Sequence, residues 1–318
     1  MRLPIKEAVF LHKFLILEFI FSIVFFFSAA FSFAQDSSYT NTEIIYGRKD
    51  GMALTMLKLS PKQYTKSKAI ISVVSGNWVS NYNMSAGFLR RSQLYISSGY
   101  TVFLVMHGSQ PRYAITDETE DLQRAVRFVR YNAKVYGIDG DHIGITGASS
   151  GGHLALMTAL ADNKINSDAK DPIDRVSSRV QAAAVFFPPT DFLNWGAPNT
   201  RANKEIIRKA RVAGAFDFKI LSDSTGMYEH ITGDEANMQI AKAMAPINSV
   251  TADDPPVIIV HGDADPVVPL QQSRSIIQKL KAAGVINELI IKPGAGHGWR
   301  DTQPEEKRFT EWFDKYLK

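Results

Sequence analysis

Three short segments of the 318-residue chain hold residue types that could turn a serine hydroxyl into a nucleophile. Gly147-Ala148-Ser149-Ser150-Gly151 follows a G-x-S-x-G pattern. His261-Gly262-Asp263-Ala264-Asp265-Pro266-Val267-Val268-Pro269 offers two acids. Gly294-Ala295-Gly296-His297-Gly298-Trp299 sets a histidine among glycines. A serine hydroxyl is a weak nucleophile near neutral pH. It attacks a carbonyl only when a base takes its proton and an acid orients that base. Ser149 is the candidate nucleophile, His297 the base and Asp265 the acid. The spacing His-Gly-x-x-Asp-x-x-Val-Pro selects Asp265, and Asp263 is assigned to holding its loop through backbone amides. The chain order Ser149, Asp265, His297, with a strand before the serine and a helix after it, is the context in which the motif means a nucleophile elbow.

Attack on a carbonyl also builds negative charge on oxygen, and each backbone donor aimed at it is typically worth ~3 to 4 kcal/mol. Ser150 follows the nucleophile, so its amide is one candidate donor. The second must come from the loop after the first central strand, Val74-Ser75-Gly76-Asn77-Trp78. Gly76 and Asn77 are expected to point their amides at the site, with Trp78 anchoring the loop. Of the seven histidines, His12 falls in the N-terminal segment and His142 and His230 read as surface residues. His153 reads as a packing or locally hydrogen-bonded residue. His107 and His261 end strands and read as supports.

Other chemistries find little to work with. The chain has no cysteine, which excludes disulfides, thiol catalysis, Cys-ligated zinc and a lipid-modified N-terminal cysteine. No metal-ligand cluster, P-loop or dinucleotide fingerprint is present, and no cofactor is expected. Gly294-Ala295-Gly296 lacks the third glycine of a phosphate loop and surrounds His297. The formal net charge is +4, from 36 basic and 32 acidic residues, and the charges are interspersed without a basic run. That is a solvated mixed-charge surface, not a nucleic-acid footprint. Nothing in the chain indicates an oligomeric state.

The elements that must position these residues are legible as alternating segments. Ala69 to Val74 and Thr101 to Met106 are continuous apolar runs ending in glycine signals, as in strands buried on both faces of a parallel sheet. Between them lies a helical stretch at about 86–98. Asp117 to Asp121 suits a helix N-terminus, and Leu122, Ala125, Val126, Phe128, Val129 and Tyr136 form an apolar stripe closing near Gly137. Strands are expected at 143–146, 181–187, 257–260 and 287–291. Helices are expected from Gly151 and over 302–317. The alternation implies an α/β architecture with a mostly parallel sheet. Residues 193–250 break the rhythm and read as a helical cap or lid insertion.

Ahead of this, Lys6 and Lys13 precede an apolar stretch, Phe19 to Phe33, and Ser32 and Ala34 supply small residues at the −3 and −1 positions of a cleavage site. Residues 1–34 read as a signal peptide, leaving 35–318 as one catalytic domain, secreted or periplasmic, without stable membrane insertion after cleavage. The alternative is a retained anchor helix. Glu18 interrupts the apolar run, which is short of a span of ~20 residues.

These residues resemble the α/β-hydrolase superfamily, and within it the secreted bacterial esterase/lipase group related to feruloyl esterases and hormone-sensitive-lipase-like enzymes. The stretch DLQRAVRFVRYNAKVYGIDGDHIGITGASSGGHLAL carries the similarity, with HGDADPVVP and GAGHGW, and it extends over roughly Ala69 to Lys318. The resemblance implies an α/β-hydrolase fold with helices on both faces of the sheet. It also implies a Ser-Asp-His carboxylesterase acting on short-chain or carbohydrate-linked acyl esters through an acyl-enzyme. Relatives often carry His-Gly-Gly-Gly-Trp where this chain has Val74-Ser75-Gly76-Asn77-Trp78. Asparagine tolerates left-handed backbone angles, so the departure bears on the lipase subfamily more than on the triad. Two alternatives stand beside this reading. One is a peptidase resembling the prolyl-oligopeptidase catalytic domain, although the chain has no room for that family's propeller. The other is a non-catalytic binding protein on the hydrolase fold, although such proteins usually lose a triad member.

Overall fold

The computed structural model describes residues 38–63, 65–161, 165–202, 207, 211–231 and 233–318. The leader assigned to residues 1–34 lies outside them. No helix among the described residues is long and apolar enough to cross a membrane.

The five central strands are β3 (Ala69–Val74), β4 (Thr101–Met106), β5 (Ile143–Ala148), β6 (Ala182–Phe186) and β9 (Val257–Gly262), and every residue in them is buried. Their apolar runs have no polar side to turn to water, so both sheet faces must be covered. They run parallel, and β10 (Asn287–Lys292) adds a parallel edge beside β9. β1 (Tyr39–Lys49) and β2 (Met52–Pro61) form an antiparallel hairpin joined to β4, giving the order β1-β2-β4-β3-β5-β6-β9-β10. This hairpin is absent from the sequence reading. β1 carries polar residues that stay exposed and has no continuous apolar run to announce it.

Neighbouring strand residues point to opposite faces, so two cores form. On one face Ile71, Val73 and Val105 meet the helices α2 (Ile115–Tyr131), α4 (Ser150–Ala159) and α6 (Gln271–Ala282) through Leu122, Leu154 and Ile276. On the other, Ile70, Val74 and Leu104 meet α1 (Ser85–Ser97) and α7 (Gln303–Tyr316) through Tyr95, Ile96, Phe309 and Phe313. Each ring of Phe309 and Phe313 is fully removed from water, worth roughly 2 to 3 kcal/mol of apolar burial. The stripe on α2 closes in two steps. The helix stops at Tyr131, the single turn α3 (Ala133–Tyr136) follows, and Gly137 ends it in the left-handed conformation at φ 66°.

The described residues of the insertion between β6 and β9 are not helical throughout, contrary to what its composition suggested. They include a 3₁₀ turn, Ala213–Phe216, a small hairpin, β7 (Lys219–Leu221) with β8 (Tyr228–His230), the helix α5 (Asp234–Ala243) and a second 3₁₀ turn, Pro246–Asn248. The Lys- and Ala-rich composition that suggested helix throughout is a weak local preference, and the hairpin closes around Gly226 at φ 66°.

Candidate active site

Ser149 sits between β5 and α4 with φ 54° and ψ −123°, a backbone conformation rare for any side-chain-bearing residue. Two bonds hold it there: its amide donates to the Phe186 carbonyl at 3.0 Å, and its carbonyl accepts the His153 amide at 2.9 Å. The turn is possible because Gly147 lacks a side chain. A Cβ at that position would lie 2.3 Å from the Gly151 carbonyl oxygen. The strand's end, the strained turn and the helix start thereby push the Ser149 hydroxyl above the sheet.

The other two segments meet it there. His297 Nε2 lies 2.8 Å from Ser149 Oγ, and His297 Nδ1 lies 2.7 Å from Asp265 Oδ2. The second Asp265 oxygen accepts the amides of Val267 at 2.8 Å and Val268 at 3.0 Å. Burial alone would raise the Asp265 carboxyl. Hydrogen bonds from His261, His297 and those two amides outweigh it and hold the group well below the usual carboxylate range. Asp265 therefore remains an anion facing the imidazole. It favours Nδ1–H, leaving Nε2 as the acceptor for the serine proton.

The loops after β9 and β10 are stitched together. Ala264 donates to Ala295 O at 3.0 Å, and Asp263 Oδ1 accepts the Gly294 amide at 2.6 Å, so Asp263 has the loop-holding contact expected of it. Gly262 is required at this seam: a Cβ there would lie 2.2 Å from the Ala295 carbonyl oxygen. His261 is fully buried, with Nδ1 2.7 Å from Ser273 Oγ and Nε2 2.9 Å from the Val268 carbonyl, a support beneath the acid.

The donor loop departs from expectation at one residue. The Gly76 amide is bonded to the Val79 carbonyl at 3.0 Å, closing the loop on itself, so it does not serve the site. Asn77 adopts φ 54°, the left-handed region its side chain tolerates. Its amide has no partner among the described residues. The Ser150 amide, first in α4, has none within its helix. Of the three expected donors, Asn77 and Ser150 keep unengaged amides, and Asn77 lines the same cleft as Ser149. The Ser150 hydroxyl meets Ser75 Oγ at 3.1 Å and ties the helix start to the loop.

Trp78 anchors this loop. Its indole N–H donates to His153 Nδ1 at 3.2 Å, and His153 Nε2–H donates to the Met244 carbonyl at 2.8 Å. Burial lowers the His153 pKa to about 4, so the ring is neutral and can accept and donate at once. His107 is likewise buried and lowered to about 4, lying 3.7 Å from Glu118, a carboxyl that burial and the Asp121 and Asp117 charges push up to about 10. Both groups of that pair are neutral near pH 7. His142 lies 2.8 Å from Asp139, and His230 pairs with Asp217 on the exposed hairpin, away from Ser149.

Two spaces flank Ser149. An open cleft of about 860 Å³ is lined by Asn77, Phe187 and His297 together with residues of α1 and the approach to α7. On the other side, a pocket of about 50 Å³ is walled by Trp78, Phe192, Trp195, Phe216 and Val267. Phe187, whose ring centroid lies 4.5 Å from that of His297, escaped the sequence reading. It belongs to the Phe186-Phe187-Pro188-Pro189 run that signals only a strand's end. No group of three or more His, Cys, Asp or Glu among the described residues could hold a metal ion. A serine hydroxyl in contact with an imidazole that is itself held by a buried carboxylate can move a proton off oxygen, and unengaged backbone amides beside it could hold an oxyanion that forms on a carbonyl.

Known proteins share this architecture. The chain is 29% identical over 239 residues to esterase LipQ of Mycobacterium tuberculosis, covering 74% of this chain and 51% of that protein. It is 23% identical over 257 residues to esterase LipC of the same organism, covering 80% and 59%. It thus spans about half the length of the curated relatives it matches. Among solved structures, a truncated carbohydrate esterase from gut microbiota superposes with a TM-score of 0.69 at 26% identity, covering 89% of this chain and 98% of that one. Residues 57–280 match the BD-FAE family, and with its α/β-hydrolase sheet the chain belongs to that family.

Proposed function

We propose that the chain is a serine carboxylesterase that cleaves short-chain or carbohydrate-linked acyl esters through an acyl-enzyme, with Ser149, His297 and Asp265 as its triad. The observation that carries this is the unbroken contact chain from Ser149 Oγ to His297 Nε2 at 2.8 Å and from His297 Nδ1 to Asp265 Oδ2 at 2.7 Å. The Ser149 oxygen bonds to the acyl carbon while its proton passes to His297 Nε2. Asp265 steadies the imidazolium, and the Asn77 and Ser150 amides hold the oxyanion. When the tetrahedral adduct collapses, the ester C–O bond breaks and His297 returns the proton to the leaving alcohol. Water, deprotonated by the same imidazole, then releases the acid.

The smaller space supports a short acyl group. A cavity of roughly 150 Å³ accommodates a benzene ring, and this pocket of about 50 Å³ favours an acetyl- or propionyl-sized group. The carbohydrate side is supported by likeness to a carbohydrate esterase. Export of the chain, as a secreted or periplasmic enzyme, belongs to the same proposal and rests on residues 1–34.

The test is hydrolysis of nitrophenyl esters from acetate to decanoate by residues 35–318 and by Ser149→Ala. The expected outcome is highest kcat/KM on acetate and no turnover by the variant. Equal turnover by the variant overturns the triad, and a decanoate optimum overturns the short-acyl assignment. Release of acetate from acetylated xylan tests the carbohydrate part separately.

A further inference from the structure

The cleft of about 860 Å³ is lined by Arg90 and Arg91 of α1 and by Arg300, which precedes α7. None of the three guanidinium groups makes an ion pair or a hydrogen bond to another described residue. Arg91 rests over the Phe88 ring, 5.9 Å from its centroid. Other arginines face carboxylates: Arg124 pairs with Asp171 and Asp174, Arg179 with Asp253, and Arg308 with Glu288 and Glu311. Two acids share the cleft wall, and both are engaged at the start of α7. Asp301 accepts the Gln303 amide at 3.1 Å, and Glu306 accepts the Thr302 hydroxyl at 2.7 Å. Burial raises the Glu306 carboxyl, against the pull of Thr302 and Arg91, so its charge offsets the arginines less than a free carboxylate would. Arginine stays protonated throughout the working range of an enzyme. The cleft wall is therefore net positive beside the nucleophile, while the pocket across Ser149 is apolar and small.

From this asymmetry we infer that the enzyme selects esters whose alcohol moiety carries a carboxylate, with the short acyl group in the apolar pocket and the acid-bearing alcohol held against Arg90, Arg91 and Arg300. The inference rests on the esterase reading above and adds the substrate class. Among the described residues the acyl pocket has no charged wall, so the anion is assigned to the cleft side. A planar carboxylate suits the two-pronged guanidinium. An acylated sugar acid has this chemistry: a short ester on a hydroxyl and a carboxylate elsewhere on the same unit.

The experiment compares para-acetoxybenzoate with para-acetoxybenzamide, which share acyl group and shape and differ in charge. Each kcat/KM is divided by that ester's hydroxide-catalysed rate to remove intrinsic reactivity. The net positive wall should favour the carboxylate about tenfold at low ionic strength. The preference should shrink toward one in about 1 M salt, where the Debye length is about 3 Å. It should also vanish in the triple variant Arg90→Gln/Arg91→Gln/Arg300→Gln, with circular dichroism reporting its fold. A wild-type ratio near one overturns the inference, as does a preference that survives in the folded triple variant. Turnover of the amide without preference for the acid leaves the esterase reading standing and this one fallen. Turnover of neither ester removes both.

Discussion

The loops after β5, β9 and β10 and the insertion between β6 and β9 meet around Ser149, but they are built on opposite terms. In the first region nearly every group is fixed: the Ser149 backbone by two hydrogen bonds, Asp265 by two amides and an imidazole, and the Asp263 and Gly294 loops by each other. In the second, β7 and β8 are exposed at every residue, and α5 buries none. Ile220, Leu221, Met227 and Tyr228 are each more than half exposed. Around these exposed elements the insertion engages the body through Phe192 and Phe216 on Trp78, the Met244 carbonyl on His153 and the Asn194 carbonyl on the Gln272 side chain, and it buries Val212, Ala215 and Ala245 in the core. The contrast has a physical basis. Proton transfer needs atoms held within about 0.5 Å, which loops between buried parallel strands can supply. A recognition surface can vary as long as its few anchors hold.

The sharpest way to break this comparison is at the fixed side. Ser149→Ala should lower kcat/KM on nitrophenyl acetate by about 10⁴-fold or more without unfolding the chain, since the partners act as a unit. Loss of less than tenfold would remove Ser149 from the chemistry. Next in size is Gly262→Ala. The new methyl would force apart the β9 and β10 loops at the Ala295 carbonyl. Stability should fall by about 1 to 3 kcal/mol, and misplacing His297 by about 1 Å should cost about 100-fold in kcat/KM. Denaturant titration and steady-state kinetics on the same preparation check both. A wild-type profile would show that the seam is slack.

The link between the two regions, His153, should show in the pH dependence of stability. Its folded pKa of about 4 lies below its ordinary 6.5, so between those values the unfolded chain binds protons that the folded chain does not. Stability is then fully present above about pH 6.5 and is lost as pH falls toward about 4. His107, lowered to about 4 as well, acts in the same window. His153→Leu should cost about 1 to 3 kcal/mol at pH 7 by stranding the Trp78 N–H and the Met244 carbonyl. It should also flatten the slope of unfolding free energy through that window. An unchanged slope would mean that His153 is protonated in the fold. The smallest effect belongs to the exposed hairpin: Ile220→Ser with Tyr228→Ser should move stability by less than about 0.5 kcal/mol. A loss above about 2 kcal/mol would place these side chains in a packed interface and dissolve the contrast.

Much of the fixed side is legible from residue order. Continuous apolar runs mark β3, β4, β5, β6 and β9 because a strand covered on both faces has no polar positions, and the expected limits fall within two residues of those observed. The hairpin β1–β2 is not legible, since β1 exposes polar residues along most of its length and carries no continuous apolar run. The hairpin β7–β8 is hidden for a related reason: three-residue strands leave no period to read. At the site, Ser149, Asp265 and His297 stand out because each is flanked by the small residues its loop needs. Phe187 and the three cleft arginines do not, because nothing local separates an aromatic or basic residue beside a nucleophile from one on an ordinary surface.

The sequence alone determined which three segments could cooperate, because glycines at 147 and 262 and strand ends before each segment leave the chain few places to put them. Only the tertiary structure decided which amides remain open to the site. Gly76 and Asn77 look equivalent in one dimension, but the Gly76 N–H closes its own loop on Val79 and the Asn77 N–H does not. A hydrogen bond between groups three residues apart depends on backbone angles that neighbouring elements impose. Here they are imposed by Trp78 seated between His153, Phe192 and Phe216, residues drawn from distant parts of the chain.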